Sequence, residues 1–191
     1  GVEYVSSFAL LGIDKEGLLS TDEKLEVLIA RNAWQKELIW NRFSMDQLGM
    51  SISQPDKVRR SSQTISVGNT GNWSTKNYLP MGCLKNKETD SILFWQIEQN
   101  GSWYWEISDQ DGHMYLQLSG PTEHQSHWWK NLKPGDTFAS VPVSVGSACG
   151  DVEEAAGELT KYRRAIRRKN EDNEKLPVIF NDYMNCLWGD P

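Results

Sequence analysis

Over most of the chain, apolar residues recur at every second position, the spacing of strands that bury one face. Residues 91–99 (SILFWQIEQ) set Leu93, Trp95 and Ile97 on one side, and 102–108 (SWYWEIS) set Trp103, Trp105 and Ile107 on one side. Residues 113–119 (HMYLQLS) do the same with Met114, Leu116 and Leu118. Asn100-Gly101 lies between the first two segments and is a strong hairpin signal, because both positions tolerate positive φ. Asp109-Gln110-Asp111-Gly112 supplies the next turn, so a three-strand meander is predicted. Upstream, 4–13 (YVSSFALLGI) is an apolar run closed by Gly12, and 24–30 and 34–40 are short apolar-rich segments separated by Arg31-Asn32-Ala33. One helical turn is predicted around Ser44, Asp46 and Gln47, and 54–62, with Pro55 and a charge cluster, reads as a surface loop. Lys133-Pro134-Gly135-Asp136 turns into 137–145 (TFASVPVSV), where Pro142 requires a sheet edge or a bulge. Short strands separated by regular turns predict a mainly β chain with a β-sandwich domain over residues 1–148.

Residues 149–175 break the pattern. From 151 to 168, Val152, Ala155, Ala156, Leu159, Tyr162 and Ile166 form the stripe of an amphipathic helix, with acids at its start and Arg163, Arg164, Arg167 and Arg168 at its end, as the helix dipole favours. Residues 169–175 (KNEDNEK) read as a charged linker. Residues 176–180 (LPVIF) are a short continuous apolar run, the mark of a strand buried on both faces. A polar and aromatic set follows: Asn181, Asp182, Tyr183, Asn185 and Trp188. Asp190-Pro191 is an N-cap residue followed by proline at the first helical position. Residues 176–191 are therefore expected to be the front of a βα unit in a longer protein.

Composition narrows the classes of function. Twenty Lys and Arg against twenty-six Asp and Glu leave a net charge of −6, which argues against a nucleic acid or an anionic membrane as partner. No apolar run reaches the length of a transmembrane helix. Cys83, Cys149 and Cys186 are odd in number and far apart, which predicts free thiols and a reducing, cytoplasmic compartment; no signal peptide is recognisable. Nine tryptophans are the outlying count, a feature shared by sugar-handling proteins and large sandwich cores.

Several motifs carry less than they suggest. His124 and His127, beside Glu123, have the spacing of two metal ligands, but a loop or strand after Gly120-Pro121 would not converge them and no third ligand is implied. Gly68-Asn69-Thr70-Gly71-Asn72 lacks the Lys-Ser/Thr of a phosphate loop, and no GxSxG elbow occurs. No metal or cofactor is expected. Trp95, Trp103 and Trp105 could stack on a sugar, although their alternating positions also suit a core. Trp128 and Trp129 are adjacent and must point to opposite sides. The set after Phe180 stands where α/β barrels place their active sites, just past a strand's C-terminal end; a capped turn is the plainer alternative.

The run YRRAIRRKNEDNEKLPVIFNDYMNCLWGDP resembles the junction between the N-terminal sandwich and the catalytic barrel in α-galactosidases of glycoside hydrolase family 36. The segments NTGNWSTKNYLPMG, WQIEQNGSWYWEI and SGPTEHQSHWWKNLKPGDTFASVPV are similar to the sandwich of the same enzymes. The resemblance implies a galactose mutarotase-like supersandwich, a linker helix and the first strand of a truncated (β/α)8 barrel. It also implies a retaining exo-hydrolase of terminal α-galactosides whose catalytic aspartates lie on later barrel strands, so no catalytic residue is assigned here. Asn181, Asp182 and Tyr183, with Trp188 nearby, match the wall of the family's galactose pocket. Family members also direct an aromatic loop of the sandwich towards that pocket, for which Trp73, Trp103 and Trp105 are the candidates here. A homo-oligomer formed through the sandwich is expected. A stand-alone carbohydrate-binding sandwich and a non-catalytic interaction domain remain the alternatives.

Overall fold

The computed structural model of the chain describes residues 7–8, 24–50, 63–110 and 113–183. Over these residues the protein is mainly β, with antiparallel sheets. The strands are β1 (Ser7–Phe8), β2 (Leu25–Ala33), β3 (Lys36–Ser44), β4 (Thr64–Asn69), β5 (Tyr78–Asn86), β6 (Ser91–Ile97), β7 (Trp103–Gln110), β8 (His113–Ser119) and β9 (Val143–Cys149). A 3-10 turn covers Asp46–Leu48, and the helices are α1 (Glu123–Ser126), α2 (Val152–Ile166) and α3 (Glu171–Lys175). One sheet runs β1-β8-β7-β4 and the other β3-β2-β5-β6-β9. The chain divides into two compact units, Gly1–Leu159 and Thr160–Pro191, with the boundary inside α2.

Both sheets contribute to one core. Val27, Leu84, Trp95 and Ile97 of the five-stranded sheet pack with Val67, Trp103, Trp105, Ile107, Leu116 and Leu118 of the four-stranded sheet. The Trp95 and Trp105 rings meet edge to face, their centroids 5.2 Å apart, and tie the layers together. This is a sandwich-like arrangement of two alternating faces. A second apolar cluster lies on the other side of the five-stranded sheet, where Leu28, Cys83, Ile92 and Phe94 pack with Ala155, Val152 and Leu159 of α2. The helix therefore covers a sheet face, which explains why β6 carries apolar residues at both parities.

The predicted meander does not form. β6 pairs with β5 and β9, whereas β7 pairs with β4 and β8, so Asn100-Gly101 joins two sheets and turns no hairpin. The primed turn of a two-residue hairpin needs positive φ at both central residues, and neither Asn100 nor Gly101 adopts it. The physical reason lies in the flanking strands. Trp95 and Trp105 are brought into contact across the core only if their strands belong to opposite layers. The second predicted turn behaves as a hairpin, with β7 and β8 paired as far as Gln110↔His113.

Other expectations need adjustment. The segments predicted over 24–30 and 34–40 extend into β2 and β3, with the turn at Trp34-Gln35 instead of Arg31-Asn32-Ala33. The strand predicted over 137–145 starts only at Val143, because Pro142 has no N–H to give a ladder; β9 is a sheet edge, as Pro142 required. The predicted linker 169–175 contains α3, started by the Asn170 side chain accepting from Asp172 N at 3.0 Å. The loop predicted over 54–62 lies outside the described residues, as does most of 4–13, of which Ser7–Phe8 pairs with β8.

Residues 176–180 form no strand. Leu176 closes α3 with a left-handed φ of 46°, and Val178 is fully exposed at 100%, with Ile179 and Phe180 also exposed. A buried strand needs a ladder on each side, and this segment pairs with no strand in the described residues. No helix in the described residues is long and apolar enough to cross a membrane.

At the start of α2, Asp151 Oδ1 accepts from Val152 N at 2.7 Å, and Glu154 Oε2 reaches back to accept from Asp151 N at 2.8 Å, so side chains satisfy two N–H groups at the helix entry. Arg42 of β3 donates to both oxygens of Asp151 at 2.7 Å and to Glu26 at 2.9 Å. Lys85 of β5 is buried beneath this junction and donates to Asp90 Oδ1 and to the Gly150 carbonyl, each at 2.5 Å. A buried ammonium is tolerated only with such partners.

Candidate functional site

The strongest site geometry lies on two connected loops at one end of the sandwich. The β2–β3 hairpin closes at Ala33↔Lys36, leaving Trp34 and Gln35 at its tip, and Gln35 has a φ of 60°. Trp34 is 86% exposed. The register of β2 shifts around Asn32, and this irregular residue is fully engaged. Its N–H donates to Asn77 O at 3.0 Å, its Nδ2 to Thr75 O at 2.6 Å, and its Oδ1 accepts from Leu38 N at 3.3 Å. Asn32 thus stitches the hairpin to the loop between β4 and β5.

That loop is held from below as well. Asn69, buried at the end of β4, donates Nδ2 to Trp73 O at 2.6 Å, and Trp103 donates Nε1 to Ser74 O at 2.6 Å. Gly71, at φ 97°, donates its N–H to Ser102 Oγ at 2.9 Å. The result is a loop whose backbone is fixed at five successive points while Trp73 stays 61% exposed. Beside it, the Arg31 guanidinium lies 5.3 Å from the centre of the Tyr78 ring. Two large indoles left bare on restrained loops form a surface suited to stacking against the apolar face of a sugar ring or another flat apolar group.

The predicted residues fare unequally. Trp73 is presented to solvent. Trp103 is 1% exposed and part of the core, as are Trp95 and Trp105, so none of these three rings can stack on a ligand in this fold. The alternation that placed them on one strand face is the alternation of a core. Asn181, Asp182 and Tyr183 are exposed and lie in the second unit; Asn181 Oδ1 accepts from Tyr183 N at 2.9 Å, a local turn contact. Trp188 lies outside the described residues. Sequence reading passed over Trp34, although an aromatic residue after Arg-Asn-Ala, between two short apolar runs, marks an exposed hairpin tip.

His124 lies in α1, a single helical turn, and not in the expected loop or strand: Thr122 caps it by accepting from Gln125 N, and His127 follows as its C-cap at φ 50°. Among the described residues no group of three or more His, Cys, Asp or Glu is placed to hold a metal ion. Of the adjacent pair, Trp128 is half-buried against Phe138 and Trp129 is exposed. No protein-family model and no curated protein matches the chain.

Proposed function

We propose that the chain is the sandwich portion of a cytoplasmic, retaining α-galactosidase of glycoside hydrolase family 36, and that its aromatic end serves the binding of terminal α-galactosides. The observation that carries this reading is the exposed Trp73 on a loop restrained from both sides and joined through Asn32 to the hairpin that carries the still more exposed Trp34. A protein leaves such rings bare on a rigid support where they have a partner to meet. The junction resemblance names the partner's chemistry: a galactoside held in a (β/α)8 barrel that begins at 176–191. In that setting the sandwich is a supersandwich, its copies associate through it, and residues 176–180 pair as the first barrel strand.

The chemistry divides accordingly. One carboxylate attacks the anomeric carbon while a second protonates the leaving oxygen, and both belong to later barrel strands. Asn181, Asp182, Tyr183 and Trp188 line the sugar pocket, where the Asp182 carboxylate accepts hydrogen bonds from sugar hydroxyls. A charge-assisted bond of this kind contributes about 1.5–3 kcal/mol, or roughly 10- to 150-fold.

The test uses aryl α-galactoside hydrolysis by the protein that carries this chain. Asp182→Ala is expected to lower kcat/KM by one to two orders of magnitude with little change in Tm. Kinetics within twofold of wild type, together with a lowered Tm, would make Asp182 a turn cap and remove it from the site. The purified 191-residue chain is expected to show no turnover above a heat-killed control, because neither catalytic carboxylate is assigned to it. A stand-alone carbohydrate-binding sandwich is the second reading, favoured by the same exposed indoles. It is distinguished by millimolar sugar binding to the isolated chain that Trp34→Ala or Trp73→Ala abolishes.

A further inference from the structure

We propose that the outer face of the four-stranded sheet is a second ligand surface, a platform for a neutral pyranoside centred on the Glu106 carboxylate. It is separate from the aromatic end and does not depend on the galactosidase reading. The side chains there alternate with the core residues of β4, β7 and β8. Ser66, Glu106 and Gln117 stand opposite one another in a row across the three strands, and Gly68 and Tyr104 stand in the next row beside Ser119, which is itself fully buried. Cross-strand neighbours lie about 5 Å apart and alternate residues along a strand about 7 Å apart. The two rows together match the footprint of a single sugar ring.

The central carboxylate is already oriented. Tyr104 donates its hydroxyl to Glu106 Oε2 at 2.5 Å, and Tyr115 donates to Glu106 Oε1 at 2.8 Å. Burial, and then the neighbouring Glu106 carboxylate, hold the Tyr104 phenol well above its ordinary value, so it remains a donor. An ionised carboxylate has about four lone-pair sites, so about two remain to accept from adjacent hydroxyls of a ligand. Gln117 supplies an amide that both donates and accepts, with its Nε2 directed to Ser119 Oγ at 3.3 Å.

A stacking surface lies beside the carboxylate. A Cβ added at Gly68 would stand 3.2 Å from Tyr104 Cδ2, so the Tyr104 ring lies across the bare backbone of β4. The absence of a side chain at Gly68 lets the ring recline, and a reclining ring offers a face to the C–H side of a sugar. The charge pattern selects the ligand. Glu106 is the only charged residue of the two rows and no cation stands among them, so a phosphate or another anion is repelled. The rows also lack the apolar side chains that a protein partner would bury.

The experiment is a titration of the isotope-labelled 191-residue chain with melibiose, read from backbone amide shifts, with spermidine as a cationic comparison. Saturable shifts over 104–108 and 115–119 are expected at millimolar melibiose. Glu106→Gln and Gln117→Ala should each weaken binding by about tenfold, and Trp73→Ala should leave these shifts unchanged. Should Glu106→Gln lose the wild-type dispersion of its spectrum, Gln117→Ala decides, because Gln117 is half-buried on the outer face and lies outside the core cluster. The proposal is overturned if no saturation occurs, if spermidine binds in place of melibiose, or if the shifts vanish in Trp73→Ala and persist in Glu106→Gln and Gln117→Ala. That last result would assign all sugar binding to the aromatic end.

Discussion

Gly82→Ala should destabilise the sandwich although it adds a single methyl group. Gly82 of β5 stands opposite Trp95 of β6, and the indole lies directly over it. A Cβ at position 82 would come within 2.5 Å of Trp95 Cζ2 and 2.8 Å of Cε2, where ordinary contact begins near 3.4 Å. The ring must therefore retreat by about 1 Å, and overpacking of this kind costs about 1–3 kcal/mol. It has nowhere to go, because Trp95 is fully buried and packs edge to face on Trp105 of the opposite sheet. Replacing glycine in a strand returns roughly 0.5–1 kcal/mol of backbone entropy, which leaves a net loss centred on about 1 kcal/mol. Urea unfolding followed by tryptophan fluorescence measures it, and a thermal scan should show Tm lower by about 2–4 °C per kcal/mol. The decisive comparison is a double-mutant cycle with Trp95→Leu, which removes the obstructed ring. The double variant should be more stable than the sum of the single losses predicts, by about 0.5–3 kcal/mol. Additive losses, or a Gly82→Ala protein as stable as wild type, would refute the steric argument.

Two further outcomes follow from the ionisable groups. Burial pushes the Cys83 thiol up to about 12, while Cys149 is exposed on the edge strand, so a thiol reagent at pH 8 should label Cys149 in the native chain and Cys83 only on unfolding, as mapped by mass spectrometry; equal labelling rates would contradict the packing of Cys83 beneath α2. Burial alone would raise the Glu26 and Asp151 carboxyls, but the hydrogen bonds and charge of Arg42, joined by Lys87 at Glu26 and by the Val152 N–H and the Lys85 charge at Asp151, together outweigh it and hold both below their ordinary values. Their contribution is therefore complete above the unfolded carboxyl range near pH 4 and disappears as pH falls through the lower folded values. Arg42→Met should cost about 1 kcal/mol at neutral pH, since these ion pairs are partly open to solvent and screened by it. The cost should shrink as pH falls below the ordinary carboxyl range near 4, and a loss that does not change with pH would show that Arg42 acts through packing alone.

Much of the β layer was legible because strand alternation is a local property. Leu93, Trp95 and Ile97, Trp103, Trp105 and Ile107, and Met114, Leu116 and Leu118 all face one core. What alternation cannot show is which strands share a sheet, and Asn100-Gly101 was misread for that reason. A short connection between two alternating runs serves a hairpin or a crossing between layers equally well. The choice is made by the two Trp faces, which can meet only across the core. The second core was hidden by the same locality: Ile92, Phe94 and Cys83 look like breaks in alternation until the stripe of α2 is placed against them. Residues 176–180 show the other side of this locality, since an apolar run specifies burial but not the partner that provides it, and no strand pairs with it among the described residues.

The tryptophans show most clearly how a site departs from its residue types. Trp73 and Trp103 belong to one resemblance-based set of candidates, and the fold gives them complementary tasks. Trp95 and Trp105 are buried with indole N–H groups that meet no hydrogen-bond acceptor in the described residues, so their contribution is packing alone. Trp103 is just as deeply buried, yet its N–H reaches out of the core to the Ser74 carbonyl, next in sequence to Trp73. A buried donor without a partner costs about 1–3 kcal/mol, so the core itself opposes any movement of the loop that would break this bond. Asn69 acts in the same way from the end of β4 on the carbonyl of Trp73. The exposed indole therefore takes its rigidity from the interior of the sandwich, through residues that are themselves buried. A search for surface aromatics finds the exposed ring, whereas the restraint that makes its position reproducible is encoded in the core.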